Sequence, residues 1–288
     1  MHVTGFTFVS NAIRLDFPIV PAIRSVLPLC EEVIVNVGPS QDATMELVRS
    51  IGDPRIRIIK GTWDRSLGRL MLAAETQRAL DAARGDWGLY IQADEVLHES
   101  ALPALGDGMR EAADDARVEG LLVDYVHFFG NFDWQATNRS WYRREVRAVR
   151  LGIDARSHND AQGFRIGETA RRIRARRTGA RMFHYGWARP VEALRAKREA
   201  DHAIYHVDSG REIRAQIPER FPWQVGLQRF GGTHPAVAAE WIDARRSISS
   251  PGFDAPRWTP RMAQLGVSLA IERLTGWRPF EYRNYVEV

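Results

Sequence analysis

The first hundred residues alternate between short apolar runs and amphipathic stretches. GFTFVS, EEVIVNVG, RIRIIKG and WGLYIQADE have the length and residue types of strands. Helices are predicted from Asp16, as the capping residue, to about Leu27, over ATMELVRSIG, and over SLGRLMLAAETQRALDAARG. The third helix is predicted to bury a face made of Leu70, Ala73, Ala74, Gln77 and Leu80. Strands that alternate with helices are typical of a parallel sheet covered by helices, so the pattern predicts an α/β fold.

The pattern becomes less regular after about Leu105. EGLLVDYVHFFG, YRREVRAVR and ARMFHYGW have strand character, and helices are predicted over VEALRAKREADHAIYHVD and near MAQLGVSLAIERLTG. RIGETARRIRARRTG is rich in arginine, and no element is assigned to it. Because no repeat or low-complexity linker separates the two parts, the second half is interpreted as an extension of the same domain.

The composition is that of a globular protein with a packed core. The chain has 288 residues, of which 44% are hydrophobic and 26% are charged. No apolar run approaches the roughly 20 residues that span a bilayer, and the start lacks the features of a signal peptide. A cytoplasmic location is therefore expected. Cys30 is the only cysteine, so no internal disulfide is possible and a structural role is predicted for it.

Nearly all of the basic residues are arginine. Lys60 and Lys197 are the only lysines, and the formal charge is +4. Arginine is suited to phosphates and carboxylates, so the basic excess is compatible with a nucleotide diphosphate, an acidic glycan, nucleic acid or an anionic membrane surface. A genome-wide preference for arginine codons explains it equally well. No nucleic-acid-binding motif occurs, and nucleic acid is not expected as a partner.

Two adjacent acids follow the fourth predicted strand. Asp94 and Glu95 come directly after LYIQA, at the edge of the sheet where open α/β proteins bind ligands. Successive strand residues point to opposite faces, so only one of the two is expected to face a ligand. We choose Asp94, because Glu95 begins a turn. A carboxylate at this edge is suited to hold a divalent cation against a diphosphate, although both acids are also compatible with solvated turn positions.

Several segments resemble one enzyme family in their order and spacing. FTFVSN, VNVGPSQDAT and LYIQADE resemble family-2-type glycosyltransferases of the GT-A fold. HFFGNFDW, WYRREVR, DAQGF, HYGW and GTHP are similar to segments of a bacterial branch that acts in cell-surface polysaccharide or glycolipid assembly. The resemblance implies a Rossmann-like, mostly parallel sheet flanked by helices. Residues 1–105 would form the nucleotide-sugar-binding half, and residues 106–288 the acceptor-side half with a C-terminal helical extension.

The resemblance also implies an activity and residue roles. It implies a metal-dependent, inverting transfer of a sugar from a nucleotide-sugar donor to a glycan or lipid-linked acceptor. Asp94 matches the metal-binding acid of the family's Asp-x-Asp motif, and His184 in FHYGW matches a second ligand of a Mn(II) or Mg(II) ion. Gln92 replaces the first acid of the motif, which puts the usual ribose contact in doubt. The implied donor contacts are Ser10, Asn11, Asn36, Asp42, Gln92, Trp187 and Arg189.

An inverting transfer needs a carboxylate that accepts the proton of the acceptor hydroxyl. Asp160, in the loop SHNDAQGF, is the first candidate for this base. Asp124 and Glu168 are its rivals, and each is also suited to be a helix cap or an arginine partner. One or two arginines of the basic run are expected to contact the leaving diphosphate, and the candidates are Arg165, Arg171 and Arg172.

Other interpretations remain open. His234 and Pro235 are suited either to shape the acceptor site or to form a turn. GVSLAIERLTGWRPF either packs against the domain or lies on a membrane surface. A sugar-phosphate nucleotidyltransferase shares the strand-end acids and the metal but normally has a glycine-rich loop, which FVSNAIRLDF lacks. Gln92 makes a catalytically silent nucleotide- or glycan-binding module a further alternative.

Overall fold

The computed structural model describes residues 1–205, 220–247 and 252–288. The strands within these residues are β1 (Val3–Val9), β2 (Glu32–Val37), β3 (Ile56–Lys60), β4 (Trp87–Tyr90), β5 (Glu95–Leu97), β6 (Gly120–Phe129), β7 (Trp134–Ala136), β8 (Arg144–Arg150), β9 (Ala155–His158), β10 (Gly163–Ile166), β11 (Arg171–Trp187), β12 (Leu227–Arg229) and β13 (Tyr285–Glu287). The α-helices are α1 (Ile19–Val26), α2 (Thr44–Arg49), α3 (Leu70–Ala82), α4 (Leu102–Glu111), α5 (Val191–Tyr205), α6 (Ala239–Arg246) and α7 (Pro260–Thr275). Short 3-10 turns cover Leu27–Leu29, Arg65–Leu67, Glu99–Ala101 and Ala236–Ala238.

One continuous sheet organises the molecule. Its main strand order is β3-β2-β1-β4-β8-β6-β11-β10-β9. The first four strands are parallel to one another, and the order 3-2-1-4 is that of a Rossmann-like half. β8 runs antiparallel to β4 and β6, and β6 runs parallel to β11. The predicted α/β fold with a helix-flanked, Rossmann-like sheet is confirmed, and strands from both sides of residue 105 belong to the same sheet.

The parallel strands are apolar because both faces of the sheet are covered. In β2, Val33 and Val35 point into a core beneath α1, α2 and α4, whereas Ile34 points into a second core with α3 and the β9–β10 hairpin. The side chains of β1 are shared between the same two cores, with Val3 in the first core and Phe6 in the second. A strand that is buried on both faces requires a nearly continuous apolar sequence.

The structure corrects two details of the predicted helices. Asp16 does not cap α1: its carboxylate pairs with Arg245 at 2.5 Å, and Pro18 occupies the capping position without a side-chain hydrogen bond. The buried face of α3 is rotated, so that Leu70 is half exposed and Glu75 is buried. The helices predicted in the second half are found as α5 and α7. Residues 206–208, the end of the first of these predicted helices, lie outside the described residues.

The arginine-rich segment is part of a long strand. β11 runs for 17 residues and alternates buried and exposed positions through the basic run. Its arginines pair with acids on the segment between α4 and β6: Arg171 and Arg174 bind Glu119, and Arg176 binds Asp115. The run is therefore the solvated side of a half-buried strand, stabilised by ion pairs.

The structure bears on two expectations from the composition, the lack of a membrane span and the structural role of Cys30. Within the described part of the chain, no helix combines the length and the apolar character needed to cross a bilayer. Cys30 is buried, and burial raises the pKa of its thiol to about 12, in keeping with the structural role predicted for it.

A fully buried ion pair lies behind the carboxyl end of β4. Arg147 donates two hydrogen bonds to the carboxylate of Glu95, at 2.8 and 2.9 Å, and neither side chain is exposed. The Glu95 carboxylate also accepts hydrogen bonds from the Tyr125 hydroxyl and from the backbone N–H of Gln92. The guanidinium of Arg147 packs over the rings of Tyr90 and Tyr125.

Removing one partner of this pair is expected to destabilise the protein more than neutralising both. Arg147→Met leaves the Glu95 carboxylate buried without a cation, which typically costs about 3–5 kcal/mol of unfolding free energy. In the double variant E95Q/R147M the amide oxygen can accept from the backbone N–H of Gln92 while the amide NH2 donates to the Tyr125 hydroxyl, so part of the loss is recovered. Urea denaturation of the two variants and the wild type measures the difference. Equal stabilities for the single and double variants would contradict this view of the pair.

Candidate active site

A cavity of about 410 Å³ opens at the carboxyl ends of β1 and β4. This is the edge at which open α/β sheets bind ligands, and the volume lies in the range of small-molecule sites. The walls come from the loops that follow β1, β2 and β3, from the β9–β10 loop and from α5. The lining residues are Phe8, Val9, Ser10, Asn11, Leu15, Phe17, Pro39, Trp63, Arg65, Leu72, Gln92, Ala93, Asp94, Tyr142, Asp160, Gln162, Lys197 and Ala200.

Asp94 is the charged centre of this cavity. Its Oδ2 lies 3.2 Å from Nζ of Lys197, 3.6 Å from Nη2 of Arg189 and 3.8 Å from Nε2 of His184. Burial alone would raise the pKa of the Asp94 carboxyl, but the positive charges of Lys197 and Arg189 outweigh it and hold that pKa well below its usual range. Asp94 is therefore ionised at neutral pH.

A chain of hydrogen bonds fixes the tautomer of His184. His127 Nε2 lies 2.7 Å from the carbonyl oxygen of Tyr142, which only accepts, so Nε2 of His127 carries the proton. Burial lowers the pKa of His127 and of His184, and both rings are neutral. The unprotonated Nδ1 of His127 then accepts from Nδ1–H of His184, at 3.1 Å. The lone pair of His184 is consequently on Nε2, which faces Asp94.

Gly186 keeps space open beside these two side chains. A Cβ at this position would lie 2.5 Å from Nε2 of His184 and 3.1 Å from Oδ2 of Asp94. Any other residue would therefore fill the place that a shared ligand of the two atoms would take. The segment HYGW thus supplies a nitrogen lone pair at its first position and the necessary room at its third.

The donor atoms at this point fit a divalent cation that arrives with a phosphate. Asp94 Oδ2 and His184 Nε2, 3.8 Å apart, are close enough to contact one ion, and the second ring nitrogen of His184 is held as in most metal-binding histidines. The described residues contain no group of three or more His, Cys, Asp or Glu side chains that could hold a metal. Most of the coordination would therefore come from phosphate oxygens and water, as is usual for Mg(II).

Ser10 and Asn11 form the β1 side of the cavity and also join two loops. Ser10 donates to the carbonyl of Pro39 at 2.6 Å, and Oδ1 of Asn11 accepts from the backbone N–H of Gln41 at 2.7 Å. Asn11 has a positive φ of 53°, a conformation that asparagine tolerates better than most residues. These bonds hold the first strand end against the loop that follows β2.

Asn36 and Asp42, which were predicted to contact the donor, lie outside this cavity. Asn36 is fully buried and donates through Nδ2 to the Glu75 carboxylate at 2.8 Å. Asp42 accepts hydrogen bonds from the backbone N–H groups of Arg14 and Thr44, and it lines a separate hollow beside Lys60. In this arrangement both side chains support the loops around the cavity.

Gln92 is connected to the loop that carries Asp160. Its Nε2 donates to the backbone carbonyl of Ala161 at 3.0 Å, and the Tyr90 hydroxyl approaches the same oxygen at 3.3 Å. Asn159 and Ala161 both have positive φ, 54° and 66°, and the backbone is strained at Ala161, because alanine rarely adopts this conformation. Asp160 is exposed and lines the cavity. An acid at position 92 would have no proton to donate to this carbonyl.

The remaining candidates lie away from the lining. Asp124 pairs with Arg144 and Arg177, and Glu168 is exposed in the turn after β10. Trp187 packs against Phe129 and Trp141. Of the three arginines expected near the diphosphate, Arg171 binds Glu119, and neither Arg165 nor Arg172 lines the cavity. Nδ1 of His234 is hydrogen-bonded to the hydroxyl of Tyr185, at 2.9 Å, within an aromatic cluster. Pro235 directly precedes a 3-10 turn.

Arg189 is a special case, because it is buried beneath the lining. Its Nη1 donates to the carbonyl of Leu15 at 2.6 Å and its Nη2 to that of Gly186 at 2.8 Å. The guanidinium lies 4.6 Å from the centre of the Phe17 ring. Arg189 therefore acts on Asp94 as a fixed positive charge.

Five lining residues whose side chains carry polar groups were not predicted from the sequence: Trp63, Arg65, Tyr142, Gln162 and Lys197. Trp63 and Arg65 follow the end of β3, which is a position that the parallel-sheet pattern marks as ligand-facing. Lys197 is one of only two lysines in a chain with 40 basic residues, which is a compositional signal. Tyr142 and Gln162 lie in WYRREVR and DAQGF, segments that carry the family resemblance without a role for either residue, and only the folded chain brings them to the cavity.

Comparison with known proteins gives matches among solved structures. No protein-family model and no curated protein matches the chain. The crystal structure of S. aureus TarS 1-349 in complex with UDP-GlcNAc is 18% identical, with a TM-score of 0.35, over 46% of this chain and 36% of that one. The crystal structure of glucosyl-3-phosphoglycerate synthase from Mycobacterium tuberculosis in complex with Mn2+, UDP and phosphoglyceric acid is 20% identical, with a TM-score of 0.32, over 44% and 43%. Each match covers less than half of either chain, and at these TM-scores it carries no argument about function.

Replacing Gln92 by Glu is expected to loosen the Asp160 loop. The variant loses the donor to the Ala161 carbonyl and places a carboxylate against it. A typical hydrogen bond contributes roughly 0.5–1.5 kcal/mol net, so amide exchange across residues 158–163 should accelerate by up to about tenfold. Hydrogen exchange by mass spectrometry measures this, with exchange in β2 as the internal control. Unchanged exchange in the loop would show that Gln92 does not hold it.

Replacing His127 by Phe is expected to remove the hydrogen bond that selects the Nδ1–H tautomer of His184. Phenylalanine keeps the ring contacts but offers no acceptor to Nδ1–H. Long-range ¹H–¹⁵N correlation spectra should assign the proton of His184 to Nδ1 in the wild type and show population of the Nε2–H form in the variant. A wild-type His184 protonated on Nε2 would contradict the hydrogen-bond chain described above.

Proposed function

We propose that this protein transfers a glycosyl group from a nucleotide-sugar donor to a glycan or lipid-linked acceptor. The observation that carries the proposal is the position of Asp94, which lies at the end of β4 in a cavity where Lys197 and Arg189 add positive charge. Such a site is suited to an anionic ligand that brings its own cation. The order of the segments FTFVSN, VNVGPSQDAT, LYIQADE and HYGW supports a nucleotide-sugar as that ligand.

The donor would lie between the loops that follow β1 and β3. Phe8 and Trp63 provide an aromatic wall, with ring centroids 5.7 Å apart, and a nucleobase or sugar ring can pack against such a surface. Ser10 and Asn11 supply polar groups to the same cavity. Lys197 and Arg65 are the lining cations available to the diphosphate, and Lys197 can reach it by turning away from Asp94 on its flexible stem.

In this proposal Asp94 and His184 hold a Mn(II) or Mg(II) ion. When bound, the ion neutralises negative charge on the diphosphate and so assists its departure. The chain's own contribution is to keep Asp94 ionised, to present the lone pair of His184 Nε2, and to leave room at Gly186. Because Lys197 shares Oδ2 of Asp94, metal and nucleotide should bind together more tightly than the metal binds alone.

Asp160 is proposed as the base. In an inverting transfer, the acceptor oxygen forms a bond to the anomeric carbon while the bond from that carbon to the diphosphate oxygen breaks. The proton of the acceptor hydroxyl must then pass to a carboxylate on the acceptor side. Asp160 is exposed and lies on the lining, so its carboxylate is available to an acceptor. Asp124 is engaged by two arginines and is less suited to this role.

Calorimetric titration of UDP, GDP, dTDP and CMP, each with and without Mn(II), tests the proposal. One nucleotide is expected to bind at least tenfold more tightly with Mn(II). Asp94→Asn and Gly186→Ala should each abolish that gain. Asp94→Asn removes the charge of a metal ligand, and Gly186→Ala fills the space that the metal ion would occupy. Asp160→Asn is the matched control, since it should keep the binding and lose transfer to an acceptor.

Three outcomes would change the assignment. A nucleotide affinity that does not depend on Mn(II) and is unchanged by Asp94→Asn would contradict the proposed role of Asp94. Mn(II)-dependent binding without cleavage of any nucleotide-sugar, across varied acceptors, would favour a silent binding module. Formation of a nucleotide-sugar from a nucleoside triphosphate and a sugar phosphate would favour a nucleotidyltransferase.

A further inference from the structure

A group of large apolar side chains at the C-terminal end of the chain faces solvent. Val267, Leu274, Trp277 and Phe280 are 62%, 86%, 61% and 88% exposed, and they are called the C-terminal apolar surface below. Isolated exposed apolar residues are normal, but several within one short segment indicate an interaction surface.

Helix α7 has two apolar faces, of which only one is covered. Leu265 and Leu269 are buried against Trp223 and Val225. Val267 and Leu274 are seven residues apart and lie on a different face, and the exposed Ala263 and Ala270 continue this line. The covered face explains why the helix is stable in the fold. The second face has no partner among the described residues, although an ordinary surface helix would be polar there.

Phe280 lies beside the same helix and is accompanied by arginine. It shares a shallow hollow with Arg139, Arg261 and Gln264, and the guanidinium of Arg139 lies 5.2 Å from the centre of its ring. The chain therefore turns back after Gly276, which has a φ of 71°, and returns toward the first turns of α7. The exposed aromatic ring and the basic groups belong to one side of the molecule.

The charges around this surface are unequally paired. Every acid in residues 252–288 has an arginine within 4 Å: Asp254 has Arg220, Glu272 has Arg143 and Arg278, Glu281 has Arg143 and Arg283, and Glu287 has Arg144. Arg257, Arg261 and Arg273 are exposed, and no carboxylate in the described part of the chain pairs with them. These three residues are called the arginine set below. Arg261 and Arg273 lie on α7 and Arg257 lies three residues before it, so the exposed apolar side chains of this segment are accompanied by uncompensated positive charge.

We propose that the C-terminal apolar surface docks on an anionic lipid bilayer, with the arginine set on the headgroup phosphates. Exposed aromatic and leucine side chains combined with arginine are typical of segments that lie at a membrane interface. Anionic lipids add an attraction that grows with each arginine and weakens with salt. A second copy of this chain is a poorer occupant, because a two-fold symmetric contact through this surface would bring two unpaired arginine sets together.

The docking surface is directly connected to the wall of the cavity. Arg278 donates to the carbonyls of Trp141 and Thr137 at 2.7 and 2.8 Å, and Arg143 pairs with Glu272 of α7. Tyr142, between the two contact points, lines the cavity. Docking would thus hold the cavity close to the bilayer surface. The inference stands on exposure and charge, and it does not depend on the proposed transfer reaction.

Vesicle flotation with the full chain tests the proposal. The vesicles are phosphatidylcholine alone, or phosphatidylcholine with phosphatidylglycerol, at low and high salt. The apolar variant is L274Q/W277Q/F280Q and the charge variant is R257Q/R261Q/R273Q. Matched controls are I13Q/L70Q/V237Q, which alters three exposed apolar residues elsewhere, and R110Q/R117Q/R156Q, which removes three exposed arginines elsewhere. Melting temperatures verify that all of the variants fold.

The wild type is expected to float with the anionic vesicles, less with neutral ones, and less at high salt. Each of the two surface variants should bind at least tenfold more weakly, while both controls bind like the wild type. Absence of wild-type binding to anionic vesicles overturns the proposal, and so does unchanged binding of the surface variants. An equal loss in the arginine control would assign the binding to net charge. Conversion of a wild-type dimer to a monomer by the apolar variant, measured by light scattering, would instead identify a second copy as the occupant.

Discussion

Arg147 and Glu95 form a bidentate ion pair without exposed side-chain surface, and the turn that presents Asp94 is fastened to it. The Glu95 carboxylate accepts from the backbone N–H of Gln92, whose carbonyl in turn accepts from the N–H of Glu95. Glu95 is also paired in register with His184 of β11. A buried ion pair is costly to break, so these contacts hold the turn in place. The separation between Asp94 and His184 follows from that constraint.

The charge balance around Asp94 then determines what the cavity attracts. The carboxylate contributes one negative charge, whereas Lys197 and Arg189 contribute two positive charges and the neutral His184 contributes none. The immediate environment is therefore positive, inside walls that include Phe8 and Phe17. A low-dielectric wall strengthens such a field. An anion of more than one charge, such as a diphosphate, is the ligand that this balance favours.

Local sequence signals were sufficient for the sheet but not for most of the cavity. The apolar runs of β1, β2 and β4 report burial on both faces, which is a local property, and the position of Asp94 follows from the end of its strand. The rotation of α3 could not be predicted, because Glu75 is buried only where it can accept from the backbone of Thr62 and Trp63 and from Asn36. The role of His127 likewise depends on a carbonyl 15 residues away and on a neighbouring strand. Such long-range partners leave no periodic trace in the sequence.

Gln92 stands where the Asp-x-Asp motif has its first acid, and the difference is explained by the hydrogen bond that its amide donates. The resemblance to the Asp-x-Asp motif leads one to expect a second acid, and an amide at this position looks like a loss of function. In the structure, the amide supplies a proton to the carbonyl of Ala161, and a carboxylate has none to give. The same contact joins the strand end that carries Asp94 to the strained loop that carries Asp160. Gln92 therefore couples the two acids across the cavity, so its residue type is constrained by the loop at least as much as by any ligand.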